Sequence, residues 1–378
     1  MQARSIQKPA EESYTVRPYR PSDRDQFLSL YADVWGTTKD TDWFEWRFER
    51  NPYRDGVQMV VVECDGELVA AEPLLPFRLR IRETTVDAYQ PVDWIVHPDH
   101  RRRGLFTRMT ERLLDRFGPD AELLFNFPND QLLPGLQKFG WRTVSTIQRS
   151  YRVQNARRLS ARQWTDQSPA ASGAAMAGDL LVSTALRVLD RVDTVSKSIS
   201  VERYDDVPVD IIEEVYTSAV PERFHLARDR GYLRWRFDNP RWETNTYVAR
   251  RDGQPVGTLV TGRERTAELD ATFVLDAQPM CPTTDPLPDV FKALLSAAVA
   301  DSKDDDLVVA PSNWYPEVLR QCGFWSDKTF PLSRMASPMT HAVRPLPGAD
   351  GCESWHLDDH VLTDPDNWTV GLADLDLD

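Results

Sequence analysis

The sequence predicts an α/β protein of two similar domains in tandem, each a mixed central sheet flanked by helices. Three observations carry this. The chain has 378 residues, too many for one ordinary domain. Segments of strand and helix patterning alternate through the first 150 residues or so. The order of those segments then recurs, with matching local motifs, after residue 198.

The first domain opens with a strand at Tyr14–Arg17 and a helix over Asp23–Val34, whose Phe27, Leu28, Leu30 and Tyr31 cluster on one side. Val57–Glu63 is strand-like, Asp65-Gly66 is a turn, and Glu67–Arg82 carries strand patterning interrupted by Pro73 and Pro76. Ala88–Val96 reads as another strand and Gly104–Phe117 as an amphipathic helix bearing Leu105, Met109, Leu113 and Leu114. A short apolar strand at Leu123–Phe127, a helix at Leu132–Phe139 and a strand at Trp141–Tyr151 complete it. Domain 1 is therefore 1–153.

Residues 154–197 are rich in Ala, Ser and Arg and read as a linker, with Leu180–Val192 patterned as a helix. Residues 198–345 repeat the first domain. Trp43-Phe44-Glu45-Trp46-Arg47-Phe48 with Asn51-Pro52 is echoed by Tyr232-Leu233-Arg234-Trp235-Arg236-Phe237 with Asn239-Pro240. Asp65-Gly66 is echoed by Asp252-Gly253, and Phe139-Gly140-Trp141 by Cys322-Gly323-Phe324. Residues 346–378 form an acidic tail, in which Asn367–Val370 reads as a short strand.

The formal charge of −14 argues against nucleic acid, whose phosphates need a basic surface. Lysine is confined to Lys8, Lys39, Lys138, Lys197, Lys292, Lys303 and Lys328, and an acidic, lysine-poor surface suits a protein kept soluble in strong salt. Cys64, Cys281, Cys322 and Cys352 are scattered without a C-x-x-C pair, so no zinc site is expected. With no apolar leader and no apolar run of about 20 residues, a soluble cytoplasmic protein is expected.

Chemistry concentrates at Val96-His97-Pro98-Asp99-His100-Arg101-Arg102-Arg103-Gly104-Leu105-Phe106-Thr107. A strand ends, a Pro-containing turn follows, and Arg-x-x-Gly opens a helix. Free N–H groups and partial positive charge at a helix start suit a pyrophosphate. Gly104 lets backbone approach it and Arg101, Arg102 and Arg103 add charge. On the residues alone, a basic surface turn capping a helix fits equally well.

This stretch resembles motif A of the GNAT superfamily of N-acetyltransferases, (Arg or Gln)-x-x-Gly-x-(Gly or Ala) after a strand ending Val-x-Pro. Arg101, Gly104, Val96 and Pro98 match, while Phe106 replaces the usual small residue. The resemblance covers roughly Tyr14–Tyr151. It implies two GNAT-like acyl-CoA N-acyltransferase folds in tandem, the second degenerate because Asp276-Ala277-Gln278-Pro279 and Thr283-Thr284-Asp285 stand where its Arg-x-x-Gly should be. It further implies transfer of an acetyl group from acetyl-CoA to an amine acceptor, without a metal and with self-association open. The implied contacts to CoA are Trp94, Ile95 and Val96, the run Arg101–Thr107 including Leu105 and Phe106, and Asn129 beside the pantetheine arm.

Proton transfer is less specified. Leu136 stands where the family often has a Tyr acid, and Gln90 where it often has a carboxylate. Candidate bases are Asp93, Glu72 and, if the tail folds back to the first domain, Asp378. Strict alternation puts Asp93 on the face away from Gln90, Trp94 and Val96, and an ion pair with a core arginine is its competing reading. Two other classes stay open: a Fem-type aminoacyl transferase, and a non-catalytic acyl-CoA-binding protein.

Overall fold

The computed structural model describes residues 13–155, 158, 198–267, 269–280, 287–329, 339–348 and 352–376. The segment expected to be a linker helix, Leu180–Val192, lies outside them, as does Asp378.

Two compact units emerge, each discontinuous in sequence. One comprises Met1–Pro76, Asp87–Leu124 and Pro345–Ser354; the other Phe77–Val86, Phe125–Arg344 and Trp355–Asp378. In the first unit, β1 (Tyr14–Pro18) pairs antiparallel with β2 (Met59–Cys64), and β2 with β3 (Glu67–Ile81). Pro73 and Pro76 do not break β3, expected to be interrupted there. The β2 ladder ends at Met59 opposite Pro73, so the missing N–H of Pro76 faces no partner on that side.

The single strand expected over Ala88–Val96 is two, β4 (Thr84–Pro91) and β5 (Ile95–Val96). Between them Asp93 takes φ +46°, a left-handed conformation that ends β4 and redirects the chain onto β3, where Val96 faces Ala70. β6 (Leu123–Asn126) runs parallel to β4 only through Ala88–Leu123 and Tyr89–Leu124. The helix Leu105–Phe117 buries Leu105, Met109, Leu113 and Phe117. A second apolar centre gathers Phe27, Tyr31, Trp43, Phe44 and Phe48, with ring centroids 5.1 to 6.2 Å apart.

In the second unit, the strand expected at Trp141–Tyr151 divides at Gln148 into β7 (Arg142–Ile147) and β8 (Arg149–Val153). With β9 (Ile199–Tyr204), β11 (Glu243–Arg251), β12 (Gln254–Arg265), β13 (Asp270–Gln278), β14 (Leu307–Pro311) and β15 (Trp325–Ser326), β8 builds a seven-stranded sheet in the order β15-β8-β14-β13-β12-β11-β9. The short β10 (His225–Leu226) pairs with Leu79–Arg80 of β3. β16 (Met339–Pro345) returns to pair antiparallel with β7. Thus β8, from the first half of the sequence, completes the sheet of the second. The helix Leu287–Asp301 packs Val290, Phe291, Leu294, Leu295 and Ala298 into that sheet's core.

The internal repeat holds at the level of single hydrogen bonds. Asp40 caps the first W-R-F segment by accepting from Trp43 N, and Asp229 caps the second by accepting from Tyr232 N, both at 2.8 Å. Asn51 Oδ1 accepts from Tyr53 N at 3.0 Å and Asn239 Oδ1 from Arg241 N at 2.9 Å. Asp65-Gly66 and Asp252-Gly253 both take positive φ at each residue, the hairpin turn that aspartate and glycine favour. Trp141 N donates to Leu136 O, and Phe324 N to Leu319 O, around the left-handed Gly140 and Gly323.

The expected strand Asn367–Val370 is instead a single parallel bridge, Trp368 beside Phe224, followed by a 3₁₀ turn at Leu372–Asp374.

Candidate active site

The Arg-x-x-Gly stretch folds as the sequence indicates. His97–Arg101 make a 3₁₀ turn, Arg102 and Gly104 take φ +62° and +74°, and the helix starts at Leu105. A Cβ on Gly104 would meet nothing within 4 Å, so glycine is needed there for backbone conformation and not for space. The first intrahelical bond is Arg108 N to Gly104 O, which leaves the preceding amides without helical acceptors. Arg101, Arg102, Arg103 and Thr107 are exposed beside them. Arg101 Nε donates to Val96 O at 3.1 Å, fastening the loop to β5. Arg103 Nη1 donates to the Tyr14 hydroxyl at 2.6 Å. Phe106, too large for the usual motif, turns its ring toward the Trp94 indole at a centroid separation of 6.2 Å. Ile95 is buried, and Trp94 and Val96 are partly so.

Glu72 on β3 is fully buried. Thr110, one and a half turns into the helix, donates to both its carboxyl oxygens at 3.1 and 3.3 Å. Burial pushes the carboxyl pKa up to about 8, against Thr110 and the nearby Trp94 indole, whose N–H stops short of full hydrogen-bond geometry. At neutral pH this group therefore holds its proton.

Asp93 is engaged by Arg47, whose Nε and Nη2 stand 3.0 and 2.9 Å from Oδ2. Arg47 is fully buried between the rings of Trp43 and Phe48, each about 5.5 Å from its guanidinium carbon. The repeat motif's arginine thus clamps the residue where β4 breaks. The ion pair with a core arginine expected as the competing reading for Asp93 is present; sequence reasoning did not name Arg47, although a W-R-F arginine in an apolar segment is a signal that a buried anion waits elsewhere.

Gln90 is buried at the penultimate position of β4, one residue beyond the strand's final pair with β6, and its Nε2 has no hydrogen-bond partner. Leu136 is fully buried and offers no proton. Asn129 belongs to the other compact unit, and its Oδ1 accepts from Gln131 N and Leu132 N at 3.1 and 3.0 Å, capping the turn that starts there. Trp43, Trp46 and Trp235 are buried core residues. Among the described residues no cluster of His, Cys, Asp or Glu could hold a metal ion, and no helix is long and apolar enough to cross a membrane.

The model of an acetyltransferase (GNAT) domain family matches residues 15–144. Three solved structures share the fold over most of the chain. A GCN5-related N-acetyltransferase from Anabaena variabilis is 11% identical with a TM-score of 0.55, covering 88% of this chain and 73% of its own. One from Kribbella flavida is 13% identical, TM-score 0.57, covering 89% and 71%. Saccharomyces cerevisiae N-myristoyltransferase with bound myristoyl-CoA is 13% identical, TM-score 0.58, covering 89% and 80%. No curated protein sequence matches the chain. Such identities speak to fold alone, and the fold they share is the one built above from two repeats. Residues 15–144 thus match the model of a GNAT domain, and the chain carries the fold of these acyltransferase structures in tandem.

Proposed function

We propose that the first repeat binds acetyl-CoA, or a close acyl-CoA, and transfers the acyl group to an amine acceptor. The observation that carries the reading is the left-handed Gly104 at the mouth of the helix Leu105–Phe117, with exposed arginines at 101–103. Helix-start amides and arginine forks suit a pyrophosphate. In this reading the backbone of Trp94–Val96 receives the pantetheine amides where β4 has left β6.

The amine nitrogen attacks the thioester carbonyl carbon, the C–S bond breaks, and the thiolate takes up a proton. The amine must lose one proton. Asp93 is charge-compensated by Arg47, and Glu72 already carries a proton at neutral pH. Both therefore serve better as supports of the β4–β5 break and the helix than as bases, and proton acceptance falls to water. Gln90 Nε2 is a donor without an acceptor, suited to an oxygen of the bound substrates.

The test is isothermal titration with acetyl-CoA, followed by thiol release across an amine panel. Binding with turnover supports the reading. Absent binding removes it, and binding without release on any amine leaves an acyl-CoA-binding protein.

A further inference from the structure

Both repeats contain a pair of parallel strands that part company. In the first, β4 and β6 are paired only through Tyr89 and Leu124. In the second, β13 and β14 pair at Ala271–Leu307, Thr272–Val308 and Phe273–Val309 and no further. A gap between parting strands exposes apolar side chains and unpaired backbone, and something must fill it.

In the second repeat the filler is the chain's own C-terminal segment, Gly371–Leu375. A Cβ on Gly371 would stand 3.3 Å from Leu275 O on β13 and 2.7 Å from Trp314 Cζ2, just past β14. Gly371 therefore sits between the two diverging strands, and only glycine fits. Leu372 and Leu375, which follow it, are 1% and 0% exposed. Arg236, the W-R-F arginine of this repeat, donates from Nε to Ala373 O at 2.7 Å and from Nη2 to Leu375 O at 2.5 Å. Asp374 Oδ1 lies 2.8 Å from Arg228 Nη1 and accepts from the Tyr232 hydroxyl at 3.1 Å, while Oδ2 accepts from Gly371 N at 2.7 Å. Arg228 is itself fully buried and also paired with Asp276 on β13 at 2.9 Å.

We infer that the parted strands of the second repeat form a peptide-binding slot whose ligand, held in cis, is the segment Gly371–Leu375. The ligand class follows from the contacts: glycine against Trp314, an apolar residue on each side of a small residue and an aspartate, and an aspartate carboxylate for Arg228. Arg236 reads backbone carbonyls, so it demands a peptide and not merely an anion. The segment Gly-Leu-Ala-Asp-Leu meets every requirement. The inference stands independently of acyl transfer by the first repeat.

The test uses a chain ended after Val370 and a synthetic peptide of the missing sequence, Gly-Leu-Ala-Asp-Leu-Asp-Leu-Asp. By calorimetry the folded truncated chain should bind one peptide, and the peptide carrying Asp374→Asn should bind at least tenfold more weakly. The intact chain, its slot filled, should bind none. A folded truncated chain that ignores the peptide, or an intact chain that binds it equally, overturns the proposal. If the truncated chain does not fold, Gly371→Val in the full chain replaces it. Amide exchange at Leu372–Leu375 should then rise at least tenfold, and unchanged exchange overturns the proposal. Acetyl-CoA titrated into the same samples reports separately on the first repeat.

Discussion

Thr110 on the helix that follows Arg-x-x-Gly donates its hydroxyl to both carboxyl oxygens of Glu72 on β3, the nearer 3.1 Å away. The buried carboxyl has a pKa of about 8 against an ordinary 4.5, so between those values the folded chain keeps a proton that the unfolded chain has lost. Its contribution to stability is full below pH 4.5 and disappears as pH rises through 8. The slope attributable to this one group approaches about 1.4 kcal/mol per pH unit within that window. Glu72→Gln, neutral at every pH, should flatten the dependence of melting temperature on pH between 5 and 8. An unaltered slope would show that Glu72 is not the buried acid described.

Gly104 is held at φ +74° with open space where a side chain would go. Gly104→Val therefore strains backbone rather than packing, by about 1–2 kcal/mol, and should weaken acetyl-CoA at least tenfold while the domain stays folded. Gly104→Asn should keep more affinity, because asparagine tolerates the left-handed region. Equal affinities for all three chains by calorimetry would remove the pyrophosphate site from this loop.

Arg47 is fully buried against Asp93. Asp93→Asn strands a buried cation and should destabilise the protein by about 3 kcal/mol. Pairing that change with Arg47→Met should recover most of the loss, whereas additive losses in a thermal melt would mean that the two residues act separately. An Asp93→Asn protein of full stability but abolished turnover would instead return Asp93 to the role of base.

A stoichiometry of one acetyl-CoA per chain is expected, since the second repeat has no Arg-x-x-Gly where its motif A should stand and its parted strands are occupied by Gly371–Leu375. Two sites by titration would refute this.

Net charge −14 repels itself in dilute buffer, and salt screens it. The melting temperature should climb from low to molar KCl. A flat or falling curve would end the case for salt adaptation.

The sequence made the repeat legible because its markers are local: a capped W-R-F segment, an Asp-Gly hairpin, and a Gly after a helix need only nearby residues to form. The Arg-x-x-Gly turn was legible for the same reason. The partner of Asp93 was not, since the pair spans 46 positions and periodicity cannot connect strand to helix at that distance. Alternation likewise failed between Pro91 and Ile95, where a positive φ at Asp93 resets which side residues face. Gly371 was invisible as a determinant, its meaning lying wholly in Leu275 and Trp314.

The placement of β8 between β14 and β15 bears on how the chain is made. Arg149 N reaches the Asp327 carboxylate across 178 positions of sequence. During synthesis, β8 emerges long before either of its partner strands and must wait with both edges unpaired, which favours slow folding and leaves a template for mispairing. A gene cut at residue 153 would give two fragments, one carrying a strand it does not use and the other a sheet with a missing slat. The natural seam of this protein is therefore not a position along the chain, and separated halves should recover order only when both are present together.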